Sequence, residues 1–154
     1  MSSYNVSYGN GYALQVSFNN PSAYGSYTPS FTINLANVLK KLPTYAIFYV
    51  NIYESRSNVQ GTVGIWAGVN FNTASGKSYG VYLISSSIYT TYSQSFIVVL
   101  ASPGDPIESV TFWVNGTLYS SSQLYMQVTI YSMAFLTGVT SKVYAIAFAP
   151  QYNS

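Results

Sequence analysis

The chain has 154 residues, 49% of them apolar, 18% aromatic and only 5% charged, where an ordinary soluble domain carries about 25% charged residues. Such apolar and aromatic content excludes a disordered chain, and the scarcity of Glu and Lys excludes a coiled coil, whose flanks those residues line. The length fits a single domain over residues 1–154, large enough to bury a core without disulfides or metals.

Alternation with period two dominates from the first elements onward. Residues 1–11 are polar and read as a candidate extended arm. Tyr12, Leu14, Val16 and Phe18 then point one way and Ala13, Gln15 and Ser17 the other, until Asn19-Asn20-Pro21 stops the strand. A loop rich in Tyr, Ser, Gly and Pro covers 22–30, and Phe31, Ile33 and Leu35 begin a second strand. The period changes next. Leu35, Val38, Leu39 and Leu42 sit at helical spacing behind a capping residue, Asn34, with Lys40 and Lys41 near the end and Pro43 closing the segment. This predicts one or two turns of helix.

From Thr44 the chain is strand-like again. Ala46, Phe48, Val50 and Ile52 alternate with Tyr45, Ile47, Tyr49, Asn51 and Tyr53, and both sets are largely apolar, as in a central or covered strand. Val63, Ile65, Ala67, Val69 and Phe71 form the next stripe, with Gly61, Gly64 and Gly68 marking bulges or close backbone approach. Further strands are predicted at 79–84, 88–92 and 95–101, before a break at Ser102-Pro103-Gly104-Asp105-Pro106. A strand over 107–114 meets Asn115-Gly116, a hairpin signal, and returns at 117–120. A long strand follows from Gln123 to Leu136, Thr137-Gly138 turns the chain, and a last strand covers 142–149. Eight to ten strands with one short helix predict an all-β antiparallel sandwich, read as a single jelly roll of about eight strands. An immunoglobulin-like sandwich would match the strand count but not the helix, and the Cys–Trp–Cys pattern is absent.

The chemistry-bearing residues are few. There is no His and no Cys, which removes the usual general base, the thiolate nucleophile and the common zinc ligands. Five cations (Lys40, Lys41, Arg56, Lys77, Lys142) and three acids (Glu54, Asp105, Glu108) give no basic patch for nucleic acid. Glu54 and Glu108, on different predicted strands, are the one candidate glycosidase pair, and the favoured reading is structural: Glu54 pairs with nearby Arg56 at a strand end, while Glu108 is solvated. Ser75 and Ser78 near Lys77, and Ser141 beside Lys142, are neighbours expected by chance in a serine-rich chain. One Asp does not make a calcium site. No catalytic residue, cofactor or metal site is assigned, and the reading is of a non-enzyme. No apolar run reaches the roughly 18–20 residues that span a bilayer. The opening Met1-Ser2-Ser3-Tyr4-Asn5 lacks the charged start and apolar run of a secretory signal.

The excess of aromatic residues is the strongest signal. Trp66 and Trp113 read as core or sheet surface, with stacking on a carbohydrate or contact with a neighbouring subunit as the functional alternatives. Seventeen Tyr are too many for a core of this size, so many lie on a surface with little charge to oppose self-association. Asn5-Val6-Ser7 and Asn115-Gly116-Thr117 are glycosylation sequons, with Asn115 on the predicted hairpin turn. Surface polarity comes from Ser, Thr, Asn, Gln and Tyr, which stay neutral in acid; with three carboxylates, little stability can be lost on acidification.

Together, this Cys-free, His-free, Tyr-, Ser- and Asn-rich sandwich resembles the single jelly-roll structural proteins of viruses that infect archaea of hot acid springs. The resemblance spans the whole chain and lies in composition and strand pattern. It implies a self-assembling coat or vertex subunit in a virion, whose partners are its own copies and other virion proteins. The alternatives are a lectin-like carbohydrate-binding module, and an extracellular filament subunit that accepts a neighbour's strand.

Overall fold

The computed structural model describes residues 2–6, 14–20, 25–27, 30–57, 63–87, 92–118, 123–137 and 144–148. In chain order these form β1 (Ser2–Val6), β2 (Leu14–Asn20), β3 (Gly25–Tyr27), β4 (Ser30–Asn34), α1 (Leu35–Val38), β5 (Tyr45–Ser57), β6 (Val63–Thr73), β7 (Ser78–Ser87), β8 (Tyr92–Ala101), β9 (Ile107–Leu118), β10 (Gln123–Leu136) and β11 (Tyr144–Phe148).

The connectivity is that of one long antiparallel hairpin rolled up on itself. Its tip is the turn between β6 and β7, and the pairings step outward from there: Asn72 with Ser78, Ala46 with Leu100, Ile33 with Val110, Val16 with Val128. Rolling places β2-β10-β5-β8 in one sheet and β4-β9-β6-β7 in the other, which is the eight-stranded jelly roll. β1 and β11 extend the first sheet to six strands, and β3 lies beside β4 on the same edge of β9.

The period-two pattern sets which side chains meet between the sheets. Ala46, Phe48, Val50 and Ile52 of β5 and Phe96, Val98 and Leu100 of β8 face Ala67, Val69 and Phe71 of β6 and Val110, Phe112 and Val114 of β9, all buried. Phe48 stands edge-on to Phe112 across the sandwich at 5.1 Å, and edge-on to Phe135 at 5.8 Å. Each such ring contributes roughly 1.5–3 kcal/mol by leaving water. In β10 a bulge at Tyr131 shifts the alternation, so that Val128 and Ile130 point inward before it and Met133 and Phe135 after it. A fourteen-residue strand thereby keeps one face on the core.

Three expectations change. The helix is a single turn: Asn34 caps it by accepting from the Ala36 N–H at 3.2 Å, but Leu39 is already extended, and Leu39 and Leu42 pack on the core from the loop beyond. The 22–30 loop contains the short strand β3. The Asn115-Gly116 hairpin does not form. β9 runs unbroken through it, because Asn115 pairs with Trp66 and Gly116 pairs with Ile65 on one side and Tyr27 on the other. Ladder bonds on both edges outweigh the local turn preference. Ser2–Val6, in the first half of the candidate arm, lies in the sheet against β2. The predicted strand at 88–92 falls outside the described residues except for Tyr92, which opens β8.

Candidate functional site

The tip of the hairpin is a closely bonded polar region. Thr73 N–H donates to the Lys77 carbonyl at 2.9 Å and Gly76 N–H to the Thr73 carbonyl at 3.0 Å, with Gly76 at φ +92° where a side chain would be strained. Asp105 reaches across from the β8–β9 loop. Its carboxylate accepts from the Ser75 hydroxyl and from the Ser75 N–H at 3.0 Å. The Ser75 hydroxyl and then that of Thr73 hold its carboxyl below the usual range; burial opposes them, and the Ser75 N–H and the charge of Lys77 add smaller effects in the lowering direction. Ser102 donates to the Asp105 carbonyl at 2.7 Å. This cluster ties two loops together. The Ser75 hydroxyl serves Asp105, so it is not a Lys77-activated nucleophile.

Glu54 and Glu108 lie in opposite sheets, Glu54 on β5 and Glu108 on β9. Glu108 is the extra residue where the β6–β9 register shifts, and it is exposed. The side chains of Glu54 and Arg56, and the whole of Lys142, are outside the described part of the chain. Among the described residues no group of three His, Cys, Asp or Glu could hold a metal, and no helix is long and apolar enough to cross a membrane. An open groove of about 240 Å³ beside α1 is lined by Leu39, Lys41, Leu42, Pro43, Phe135, Leu136 and Thr137.

The two outer sheet faces are more informative. On the six-stranded sheet, register places Ala134, Ile47, Val99 and Ile146 in one row across β10, β5, β8 and β11, with Tyr49 beside Ile97 in the next. Tyr131 packs on Tyr49 at 5.7 Å between ring centres. Ile146 remains 47% exposed and Tyr131 50%. Among the described residues these rows carry no charge; their polar members are Ser132, cross-strand from Tyr49, and, one row on, Asn51, which donates to Ser93 and Ser95.

The five-stranded sheet has a different outer face. Trp113 on β9 leans over Gly68 on β6: a Cβ added to Gly68 would lie 2.5 Å from Cζ2 of the indole. Tyr82, paired with Gly68 from β7, stands edge-on to Trp113 at 5.6 Å and 83°, and is 65% exposed. Trp66 is on the same face, diagonal to Trp113, and cross-strand from Asn115. Both tryptophans are half-buried sheet-surface residues and belong to no core cluster. The Trp113 Nε1–H is buried without an acceptor, a cost of roughly 1–3 kcal/mol. Further along come Asn70 beside Thr111, which bonds Thr32 at 2.8 Å, and then Asn72, which donates to Ser109 at 3.2 Å. Asn115 is half-buried in mid-strand beside Trp66, so the turn that was to expose its sequon is missing; Asn5 lies on β1. Tyr82 and Gly68 were not singled out from the sequence as site residues. Only register brings them to Trp113.

No protein-family model and no curated protein matches the chain. Among solved structures, the chain is similar to one from infectious bursal disease virus (Gx strain), at 12% identity and a TM-score of 0.45 over 86% of its own length. It spans about a third (33%) of that longer chain. A xylan-binding domain from Paenibacillus barcinonensis is similar at 11% identity and a TM-score of 0.42, over 85% of this chain and 82% of that one.

Proposed function

We propose that the chain is a self-assembling structural subunit, a coat or vertex protein of a virion, whose neighbours cover the outer face of the six-stranded sheet. The observation that carries this is the uncharged row Ile47–Val99–Ile146 with Tyr49, Ile97 and Tyr131 beside it. An outer sheet face normally alternates to polar, and a contiguous apolar patch is a mark of contact. Composition supports the same reading, since the charge-poor chain offers little repulsion between copies.

Light scattering behind size-exclusion chromatography at pH 3 and pH 7, with electron microscopy of the large fraction, tests it. Closed particles or rings are expected, and Ile146→Glu with Tyr131→Glu should return the chain to folded monomers. A wild-type monomer at every concentration would overturn the reading. A second reading, a carbohydrate-binding module, is favoured by a separate observation: the aromatic and amide row on the five-stranded sheet.

A further inference from the structure

We infer that the outer face of the five-stranded sheet is an oligosaccharide site of defined polarity: Tyr82 and Trp113 form a stacking floor at one end, and Asn70, Thr111 and Asn72 hold hydroxyls toward the other. This rests on the carbohydrate-binding reading and adds the site, its direction and the charge class of the ligand.

Three features converge on it. First, the aromatic end is built around a missing side chain. Gly68 has no Cβ, and the space a Cβ would take is filled by the indole edge of Trp113. Covering a strand glycine with a ring is a structural device in its own right, and it accounts for Trp113. It does not account for Tyr82, whose ring meets Trp113 edge-on and still leaves most of its surface in water. A half-covered indole and an exposed phenol at right angles present the kind of surface on which the C–H face of a pyranose packs, the ring being apolar on its faces and polar at its rim.

Second, the face has no formal charge from the Trp113 row to the Asn72 row. Among the described residues the nearest charged ones, Lys77, Asp105 and Glu108, are beyond it at the tip of the hairpin. An anionic ligand would find no counter-charge, so the ligand is neutral.

Third, the polar row selects a sugar over a protein face. Asn70, Asn72, Thr32, Thr111 and Ser109 offer amide and hydroxyl groups, and the Asn72–Ser109 and Thr32–Thr111 bonds leave a donor or an acceptor to spare on each bonded group. An apolar partner laid over them would strip their water without replacing it, at about 1–3 kcal/mol for each group. Sugar hydroxyls replace water bond for bond. At roughly 3.4 Å per residue the face runs about 14 Å from Trp113 to Ser109, which suits an oligosaccharide lying along β9 rather than a single ring.

Titration of the full chain with cellohexaose, xylohexaose and a neutral mannan oligosaccharide, followed by tryptophan emission and calorimetry, tests the inference, with oligogalacturonate as the charged control. Saturable binding of at least one neutral probe is expected. It should weaken about tenfold in Tyr82→Ala, the equivalent of one aromatic stacking contact, and also in Asn72→Ala, while the melting temperature of each exposed-site variant stays put. Saturable binding that survives both substitutions places the sugar elsewhere, so the site fails while the carbohydrate reading stands. No binding to any neutral probe removes both. Preference for oligogalacturonate overturns the neutral-ligand assignment. A change of oligomeric state in Tyr82→Ala would make the face a subunit contact and overturn the site.

Discussion

Replacing Gly68 with Ala probes the packing on which the aromatic face depends. The new Cβ would lie 2.5 Å from Cζ2, 2.7 Å from Cε2 and 3.0 Å from Nε1 of Trp113. Carbon atoms in contact sit at about 3.5–4.0 Å, so the indole must lift by about 1 Å. Overpacking of this kind costs about 1–3 kcal/mol, partly offset by about 0.5–1 kcal/mol for removing a glycine from a strand. The net expectation is a loss of about 1–2 kcal/mol, or a melting temperature lower by about 2–8 °C in a chain of this length. In a Trp66→Phe background, where Trp113 is the one tryptophan, indole emission excited beyond the tyrosine band should shift to the red as the ring leaves the sheet. The decisive arm is the double mutant. With Trp113→Ala the obstacle is gone, so Gly68→Ala should then stabilise by about 0.5–1 kcal/mol. If Gly68→Ala has the same effect with and without the indole, Trp113 does not rest on Gly68 and the stacking floor is wrong.

Three other expectations concern the fold that carries the faces. Phe48→Ala removes a ring packed edge-on to both Phe112 and Phe135 and should cost about 3–5 kcal/mol in urea unfolding; a loss under about 1 kcal/mol would mean that the two sheets do not meet there. Asn34→Ala deletes the helix cap and should cost about 0.5–2 kcal/mol, with Asn34→Asp recovering most of it. Folding holds the Asp105 carboxyl below its ordinary value, so its contribution is complete above the unfolded value near 3.9 and is lost as pH falls through the folded one. Thermal melts should therefore be level from about pH 5 to 8 and decline only below about 4, and Asp105→Asn should melt lower at neutral pH and flatten that decline.

The parts of the fold legible in the sequence were those where one local signal acted alone. β10 matches its predicted bounds, Gln123–Leu136, because the apolar pattern was continuous and flanked by polar turns. The cap at Asn34 was legible because capping is decided within three residues. Asn115-Gly116 was misread because its turn preference is local, while the ladders that hold it in β9 join it to residues far away in sequence. The helix stopped early for a related reason: Leu39 and Leu42 reach the core from an extended loop, so their spacing did not require a second turn. The site was less legible still. Trp113 was visible as an aromatic residue, but Gly68 and Tyr82 reach it only through two registers, one of them shifted by a bulge between Ala67 and Gly68. No period in the sequence carries that information.

The two outer faces are both neutral, but their neutrality has different consequences for association. An interface held by ion pairs weakens as salt screens it and as acid protonates its carboxylates. The row Ile47–Val99–Ile146 has neither dependence, because nothing in it titrates or binds counter-ions. Its contribution comes from apolar area removed from water, which excluded salts strengthen. Association through this face should thus hold from pH 3 to pH 7 at constant ionic strength and tighten with added ammonium sulfate, as read by sedimentation of a concentration series. Dissociation on adding sodium chloride would assign the contact to charged residues, and the chain has so few of them that Lys40, Lys41 and Lys77 would be the first to replace.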